Sequence, residues 1–449
     1  MSILSRRHFL EGAAAVLAAT AAGAQTRRVL IRGGCVLSLD PTIGDFDVAD
    51  VLIEGSRIAA VGPKLPVGPP EGGNHVVIDA ANCIVMPGFV DTHRHMWQGA
   101  LRNILPNGLL SDYTRDITGT ARALFRPEDA RIGDLISALG AINAGVTCVL
   151  DWSHIGNSPA HADAAIDGLR ESGIRAVYAY QGSAAQLRRL RTQYFSASDQ
   201  LLTLAMATGE SPADWAAARS VGASISLHAG GSLAAVAGVL GPDVTYIHGT
   251  TFTDQAWARI RDSGGHISIA APIEMEMGHG VPPIQAALDH GIRPSLSVDV
   301  ETQMPGDFFT QMRTVFTLQR MQALARQRAG EPKPPRLLTV REVIEFATIA
   351  GARANRLESR IGTLTPGKQA DIIVLRADAI NVLPLNNAYG AVVQGMDTSN
   401  VDTVFIGGEL KKQNGRLPGV DMARVNRLAQ ESRDYLVAKA GWGKTRLRN

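Results

Sequence analysis

The stretch VMPGFVDTHRHMWQ, residues 85–98, carries two histidines, His93 and His95, two residues apart at the end of an apolar run. A short apolar run that follows Pro87 and Gly88 is typical of a buried strand. Side chains two residues apart in a strand point the same way, so His93 and His95 share one side and Arg94 takes the other. The stretch therefore predicts a strand that ends in a pair of imidazoles.

Seven further short runs of the same kind follow between residues 145 and 300, and segments rich in Ala, Leu and Arg separate them. Strands that alternate with helices indicate βα units and a parallel sheet. With the strand before His93 they number eight, enough to close a (β/α)8 TIM barrel. The seven runs are GVTCVLDW, GIRAVYAY, LLTLAMAT, ASISLHAG, VTYIHGT, GHISIAAP and RPSLSVDV.

The two ends of the chain carry strand signals of a different kind. Residues 27–85 alternate with a period near two between Gly, Pro and Asp turns, and similar signals return in GKQADIIVLRAD and VDTVFIGGELKKQNGRL. We expect an α/β chain whose barrel, residues 87–360, is inserted in a small composite β-sandwich. Residues 25–86 and 361–415 form the sandwich, and residues 416–449 form a C-terminal helical tail.

One helix start is marked by its own residues. In LLTVREVIEFATIAG, Thr339 and Glu342 have the spacing of a capping box. The apolar residues that follow predict a helix with one buried face.

Composition points to a globular protein with a small-molecule partner. Apolar residues make up 45% of the 449 residues and charged residues 19%, the values of an ordinary folded chain. Lys and Arg number 44 against 42 Asp and Glu, so nothing in the charge favours nucleic acid as a partner. Self-association into a homo-oligomer stays open.

The N-terminus predicts an export signal. Arg6 and Arg7 precede a run rich in Ala and Leu, which closes with small residues before Gln25. This pattern is typical of a cleaved signal peptide with a twin-arginine address, here residues 1–24. The predicted location is the periplasm or the exterior, with the twin-arginine machinery as a partner. An N-terminal membrane anchor is the alternative.

Polar residues cluster at the predicted C-terminal ends of the barrel strands, where TIM barrels place their active sites. A single histidine there is more often a hydrogen-bonded core residue, but several together are hard to obtain that way. Three imidazoles and a carboxylate suit a divalent ion such as zinc or iron. The predicted strand-end residues are His93 and His95 on the first strand, Asp151 and His154 on the third, His228 on the fifth, His248 on the sixth and Asp299 on the eighth.

The segments VMPGFVDTHRHMWQ, SLHAG, YIHGT and SVDV, in that order, resemble the amidohydrolase superfamily. The flanking DVLIEGSRIAAVGP and IGTLTPGKQADIIVL resemble its composite β-sandwich, so the likeness covers nearly all of residues 28–412. The nearest branch is that of cytosine deaminases, guanine deaminases and triazine hydrolases. The resemblance implies one metal held by His93, His95, His228 and Asp299, with His248 bonded to the metal-bound water or the substrate.

The predicted barrel strands contain no lysine that could bridge two metal ions. No lysine occurs between Lys64 and Lys333. Members of the superfamily with two metals usually bridge them with a carboxylated barrel lysine. We therefore expect a single divalent transition metal, zinc or iron.

The resemblance also implies the chemistry, with one departure. A divalent ion lowers the pKa of a bound water to about 7. Asp299 can take its proton, His248 is the second catalytic candidate, and the leaving group needs a general acid. Many deaminases of this branch carry that acid as His-x-x-Glu on the fifth strand, whereas this chain has Gly231 at the Glu position. Three carboxylates could replace it, and the sequence does not choose among Glu274, Glu276 and Glu301.

Four residues are candidate substrate contacts. Gln98 follows His95 by three, much as in guanine deaminases, and its carboxamide suits the edge of a heterocycle. Trp97 suits a flat apolar wall, or else it only packs in the core. His154 and His279 are further candidates.

We predict a metal-dependent hydrolase that cleaves a C–N bond, other than a peptide bond, of a small cyclic amide-like or heterocyclic substrate. The first alternative is an aminohydrolase, or deaminase, of a nucleobase-like heterocycle. A barrel that binds a metal or ligand without turnover is an alternative of another class, which the glycine at position 231 favours.

Overall fold

The computed structural model describes residues 27–66 and 75–443, and the predicted signal peptide lies outside them. The strands are β1 (Arg28–Val36), β2 (Phe46–Glu54), β3 (Arg57–Gly62), β4 (His75–Asp79), β5 (Cys83–Pro87), β6 (Phe89–Arg94), β7 (Val146–Ser153), β8 (Arg175–Tyr180), β9 (Leu202–Thr208), β10 (Ser224–Gly231), β11 (Val244–Phe252), β12 (His266–Ile269), β13 (Ser295–Leu296), β14 (Ile372–Arg376), β15 (Val401–Ile406) and β16 (Glu409–Lys412).

The helices lie mostly between the barrel strands. They are α1 (Leu110–Tyr113), α2 (Arg122–Leu124), α3 (Pro127–Asn143), α4 (Pro159–Ser172), α5 (Ala184–Tyr194), α6 (Pro212–Ser220), α7 (Asp254–Ser263), α8 (Ala271–Glu276), α9 (Ile284–Asp289), α10 (Phe308–Arg328), α11 (Val340–Glu345), α12 (Gly351–Ala354), α13 (Ala388–Gly390) and α14 (Met422–Lys439). Wider π-helical turns, at Thr114–Ala121, Phe346–Ala350 and Ala391–Gly395, continue three of these helices.

The barrel sheet runs from β6 to β13 in chain order, with all neighbouring strands parallel. Each of the eight predicted runs forms one of its strands, so the (β/α)8 prediction is confirmed. The run that ends in Asp151 and His154 was assigned to the third strand, and this is wrong because β7 is the second.

The barrel closes through the residues that follow β13. Asp299 forms a parallel bridge with Arg94 of β6. Its backbone N–H donates to the carbonyl of His93 at 2.9 Å, and its carbonyl accepts from the N–H of His95 at 2.8 Å. The seam of the barrel therefore joins the first and last predicted strand ends directly.

The capping box at the start of α11 is confirmed. The N–H of Glu342 donates to Thr339 Oγ1 at 3.3 Å, and the N–H of Thr339 donates to a Glu342 carboxylate oxygen at 3.0 Å. These bonds satisfy two amide groups that the first helical turn leaves without partners. Val343 and Ile344 of this helix are fully buried.

The second sheet joins both ends of the chain, as predicted for the composite domain. Its strand order is β16, β15, β14, β5, β1, β2 and β3, and β4 pairs with β1. The link between the two ends is the antiparallel pair of β14 with β5. This sheet packs around its own apolar cluster, which includes Val29, Val51, Ile53, Ile372 and Phe405.

Two of the contacts that attach this sheet to the barrel involve buried residues. Gly88 separates β5 from β6, and a Cβ atom there would lie 2.1 Å from Thr147 Cγ2, so the close approach requires glycine. Arg175 of β8 is fully buried, and its guanidinium donates to both carboxylate oxygens of Asp371 at 2.8 Å.

The C-terminal segment that was predicted as helical contains α14, which packs on α3 through Val425 and Ala429. No helix in residues 27–66 and 75–443 combines the length and the hydropathy of a membrane span.

Candidate metal centre

Four side chains converge at the seam of the barrel. His93 Nε2 lies 3.0 Å and His95 Nε2 lies 3.3 Å from the same oxygen, Asp299 Oδ1. His228 Nε2, from β10, lies 3.2 Å from His93 Nε2. The structure therefore brings together the four residues that the sequence proposes as ligands, and His93, His95 and Asp299 are at most 3% exposed.

The chemistry of these donors fits a divalent transition metal. His95 Nδ1 lies 2.7 Å from the carbonyl of Trp152, which fixes Nδ1 as the protonated nitrogen and leaves Nε2 with its lone pair. His93 Nε2 lies 3.2 Å from His228 Nε2 and 3.0 Å from Asp299 Oδ1, so a cation placed among these atoms would be bound by nitrogen lone pairs and a carboxylate oxygen. Nitrogen and carboxylate donors in this number are typical of zinc or iron sites.

The protonation states of these side chains also suit metal binding. Burial lowers the pKa of His93 to about 3 and holds the pKa of His228 well below its usual value. Burial by itself would raise the pKa of Asp299, but the close contacts of its carboxylate with His93 and His95 outweigh it and hold this pKa well below the usual range. Neutral imidazoles and an ionised carboxylate are the forms that bind a metal.

His248, on β11, lies next to the four candidate metal ligands and contacts Glu274 on its other side. Its Nε2 lies 3.7 Å from Asp299 Oδ2, and its Nδ1 lies 3.0 Å from Glu274 Oε1. Glu274 is fully buried at the start of the segment after β12. Burial opposes a charge on His248, but the hydrogen bond to Glu274 and the charge of Asp299 outweigh it and raise its pKa.

The two candidate catalytic residues have strained backbones. His248 has φ +64° and Asp299 has φ +69°, in the left-handed region that side chains rarely adopt. Such conformations cost about 1–3 kcal/mol each and cluster at functional sites. The backbone bonds that close the barrel hold Asp299 in place, and Gly249, also left-handed at φ +69°, continues the turn after His248.

A cavity of about 400 Å³ opens on this group. Its wall contains five imidazoles, one carboxylate, five hydroxyl side chains and five apolar side chains. They are His95, His154, His228, His248 and His279; Asp299; Tyr113, Thr114, Thr118, Thr250 and Thr251; and Leu110, Ala229, Ile247, Met277 and Val300.

The three proton-shuttle candidates occupy different places. Glu274 touches the site through His248. Glu276 is exposed on α8 and does not line the cavity. Glu301 is buried, but it accepts hydrogen bonds from Arg94 at 3.3 Å and Arg102 at 3.1 Å away from the cavity. Gly231 has φ +63°, so a Glu there would be strained although no atom would obstruct its Cβ.

The candidate substrate residues divide into two pairs. His154 and His279 line the cavity: the ring of His154 stacks on His95 at 4.3 Å, and that of His279 meets the edge of His248 at 4.7 Å. His154 Nδ1 and His279 Nε2 have no hydrogen-bond partner among the described residues.

Trp97 and Gln98 do not line the cavity and lie behind residues that do. Trp97 is fully buried and packs edge-on against Phe125 at 4.9 Å. Gln98 donates from Nε2 to the hydroxyl of Tyr113 at 2.5 Å, and Tyr113 forms the cavity wall in front of it. Direct contact of these two residues with a substrate stays a prediction that their positions do not support.

Asp151, which was also predicted at a strand end, does not lie among the candidate metal ligands. Its Oδ1 accepts from the N–H of Met96 at 3.2 Å, and burial raises its pKa to about 7. Asp134, on α3, lies near it, and burial together with the charge of Asp151 raises the Asp134 pKa well above the usual value.

Sequence reasoning did not find the hydroxyl residues of the wall. Thr250 and Thr251 come just after His248 and Gly249 at the end of a strand, a position that could have singled them out. Tyr113, Thr114 and Thr118 belong to the segment after β6, and they reach the cavity because the N–H of Leu110 donates to the carbonyl of Met277 at 3.0 Å. No local sequence pattern predicts that contact.

Known proteins resemble this chain over nearly its whole length. The 5'-deoxyadenosine deaminase of Methanosarcina mazei is 26% identical over 92% of this chain and 99% of its own. The 5-methylthioadenosine/S-adenosylhomocysteine deaminase of Halobacterium salinarum is 24% identical over 92% and 98%.

Two solved structures share the fold. An adenosine deaminase from Xanthomonas campestris with bound zinc has a TM-score of 0.79 at 21% identity, covering 91% of this chain and 98% of its own. Atrazine chlorohydrolase from Arthrobacter aurescens TC1, complexed with zinc, has a TM-score of 0.75 at 21% identity, covering 90% and 100%.

A sequence model of the amidohydrolase family matches residues 84–411, which include the whole barrel and the candidate metal centre. The resemblance seen in the sequence is thereby confirmed. The chain belongs to the amidohydrolase family.

Proposed function

We propose that the chain is a metal-dependent hydrolase that cleaves a C–N bond, other than a peptide bond, of a small heterocyclic or cyclic amide-like substrate. The observation that carries the proposal is the convergence of three imidazole Nε2 atoms and Asp299 Oδ1 beside a cavity of about 400 Å³. The curated relatives named as deaminases of adenosine derivatives support it.

His93, His95, His228 and Asp299 would hold one divalent transition metal. The zinc in two related structures favours zinc, and the donor set also suits iron. When bound, such an ion supplies a water that is nucleophilic at neutral pH. The absence of lysine between Lys64 and Lys333, the stretch that contains all eight barrel strands, supports a single ion.

The chain's own residues would move the protons. Asp299 accepts the proton of the attacking water, since its carboxylate is ionised and adjoins the site. His248 then donates from Nε2 to the leaving nitrogen, with Glu274 holding its Nδ1–H. This assignment gives the role of the absent Glu at position 231 to His248, with Glu274 as its positioning residue.

Deamination of a nucleobase-like heterocycle is the second candidate. The relatives named as deaminases favour it, and Gly231 argues against the usual proton route. The curated relatives named as deaminases disfavour a barrel that only binds its ligand.

The test compares three preparations: protein as purified, protein stripped with a chelator, and stripped protein reloaded with zinc or iron. Each is incubated with neutral triazines, pyrimidines, purine nucleosides and cyclic amides, and the products are identified by mass spectrometry. We expect hydrolysis only with metal. Ring opening adds one water, whereas deamination replaces an amino group by a hydroxyl. Equal turnover by the stripped protein would overturn the proposal.

We also propose that the protein is exported through the twin-arginine route and acts in the periplasm or outside the cell. The support is the pair Arg6 and Arg7 ahead of the Ala-rich run. Those residues lie outside the described ranges.

A further inference from the structure

We infer that the substrate is uncharged: a compact polar ring with short apolar substituents, carrying no phosphate, carboxylate or ammonium group. The inference rests on the proposed function and concerns the part of the cavity away from the metal centre. It comes from the composition of the wall and from the pairing of the charges around it.

The wall offers no charged partner beyond the metal centre. Apart from the imidazoles and Asp299, the described residues that line the cavity carry only hydroxyl or apolar side chains, with no Lys, Arg or Glu among them. A charged substituent would lose its water there without gaining an ion pair, which is unfavourable in a partly enclosed site.

Most charged residues close to the cavity are already paired; Arg122, which acts on Tyr113 and His154 and has no ion-pair partner among the described residues, does not line the wall. On the segment that covers it, Arg115 lies 3.0 Å from Asp112 and 2.8 Å from Asp116. Glu274 is bound by His248, and Glu301 by Arg94 and Arg102. None of these paired groups is free to meet a substrate charge without breaking a bond that the fold already makes.

The hydroxyl groups suit a neutral polar ring. Tyr113, Thr114 and Thr118 line the wall from the segment after β6, and Thr250 and Thr251 line it from the end of β11. A hydroxyl both donates and accepts, so it can bind a ring nitrogen, a carbonyl or an amino group. Thr118 Oγ1 already donates to the carbonyl of Thr114 at 3.1 Å, which leaves its oxygen to accept.

The apolar side chains and the volume limit what surrounds that ring. Leu110, Met277 and Val300 would contact short alkyl groups. A volume of about 400 Å³ is near the lower end for ligand cavities, which favours one or two rings over a molecule with a long charged tail.

The test uses metal-loaded protein and matched pairs of compounds. One pair is melamine and its N-carboxymethyl derivative, and the other is 5'-deoxyadenosine and adenosine 5'-monophosphate. We measure kcat/KM, and Kd by calorimetry for any compound that is not turned over. We expect the neutral member of each pair to be preferred by at least about 100-fold, or about 2.7 kcal/mol.

The outcomes separate the two proposals. Equal or better values for the anionic members would overturn the inference while the hydrolase stands. Tight binding of the neutral members without any hydrolysis would overturn the proposed function while the inference stands. Failure of every neutral compound to bind would overturn both.

Variants test the wall directly. Thr118→Arg places a cation on it, and we expect kcat/KM or affinity for the N-carboxymethyl compound to rise at least about tenfold relative to melamine. Thr120→Arg is the matched control, since Thr120 lies on the same segment but does not line the cavity. Thr251→Lys, from the opposite strand end, repeats the test should Thr118→Arg fold poorly. An unchanged preference in both wall variants would contradict the inference.

Discussion

Nδ1 of His248 lies 3.0 Å from Oε1 of Glu274, and the N–H of Ala270 donates to the same oxygen at 2.9 Å. Two donors on one oxygen fix the carboxylate, and the carboxylate fixes the orientation of the imidazole. Nε2 of His248 is thereby turned toward Asp299, 3.7 Å away. A side chain on the segment after β12 thus orients a side chain on β11 toward the metal centre.

Glu274→Gln should lower kcat by about 10- to 100-fold and leave KM within about threefold, because the variant keeps an acceptor but loses the charge that favours a protonated imidazole. The loss should grow as the leaving nitrogen becomes more basic. Steady-state kinetics on a series of leaving groups measures both effects.

Glu276→Gln is the matched control, since it makes the same change on an exposed residue of the same helix. It should retain full activity. Loss of activity in Glu276→Gln with none in Glu274→Gln would assign the shuttle to Glu276.

Asp299→Asn should cut kcat at least about 1,000-fold while the Kd for a neutral substrate changes far less, because the carboxylate acts on the water.

Elemental analysis should find one equivalent of transition metal in the native protein and much less in His228→Ala. Two tightly held equivalents, both required for activity, would contradict the single-metal site.

Arg94→Met should destabilise the fold by about 3–5 kcal/mol, because it leaves Asp91 buried without its partner and removes one of the two arginines that pair with Glu301. Arg94 is fully buried and donates from Nε to Asp91 at 2.8 Å. Urea unfolding measures the free energy. Arg261→Met is the control, since Arg261 pairs with Asp262 in solvent and its loss should change the free energy of unfolding far less.

The pair Asp134 and Asp151 should make the protein less stable as the pH rises. Burial raises the folded-state pKa of Asp151 from 3.8 to about 7, so its contribution to stability is complete below the unfolded value and is lost as the pH rises through about 7. Asp134→Asn removes one of the two buried acids. At about pH 8.5 it should raise the free energy of unfolding by roughly 1 kcal/mol or more relative to the native protein.

Urea unfolding at about pH 5.5 and about pH 8.5 checks this prediction, with Asp167→Asn, on the exposed side of α4, as the control. A native protein that is equally stable at both values would contradict it.

Replacement of Arg6 and Arg7 by Lys should leave the protein in the cytoplasm, because the twin-arginine machinery reads the arginine pair. Lys replacement of Arg27 and Arg28, a second arginine pair beyond the predicted cleavage site, is the control and should be exported normally. Cell fractionation followed by immunoblotting measures the distribution. Undiminished export of the first variant would rule out the route.

The convergence of the candidate ligands could be predicted from the sequence. His93, His95, His228, His248 and Asp299 each close an apolar run, and parallel strands bring all such ends to one face of a barrel. The fold class, the eight barrel strands and the capping box at Thr339 follow from equally local patterns, and each is confirmed. The metal-ligand roles of these residues stay proposals that this geometry supports.

Other features were decided only by the tertiary structure. Glu274 and Glu276 are two residues apart, yet one is fully buried against His248 and the other is exposed, because successive helical positions face different directions. Glu301 follows Asp299 closely but turns away to Arg94. Sequence position could not choose among the three.

The set of residues that lines the cavity was also decided only by the tertiary structure. Tyr113, Thr114 and Thr118 reach the site only because the segment after β6 folds against the segment after β12, far away in the sequence. Periodicity along the chain reports what each residue's near neighbours require, which is enough to place strands and their ends. The packing of one loop on another depends on contacts between distant residues, and no local pattern encodes it.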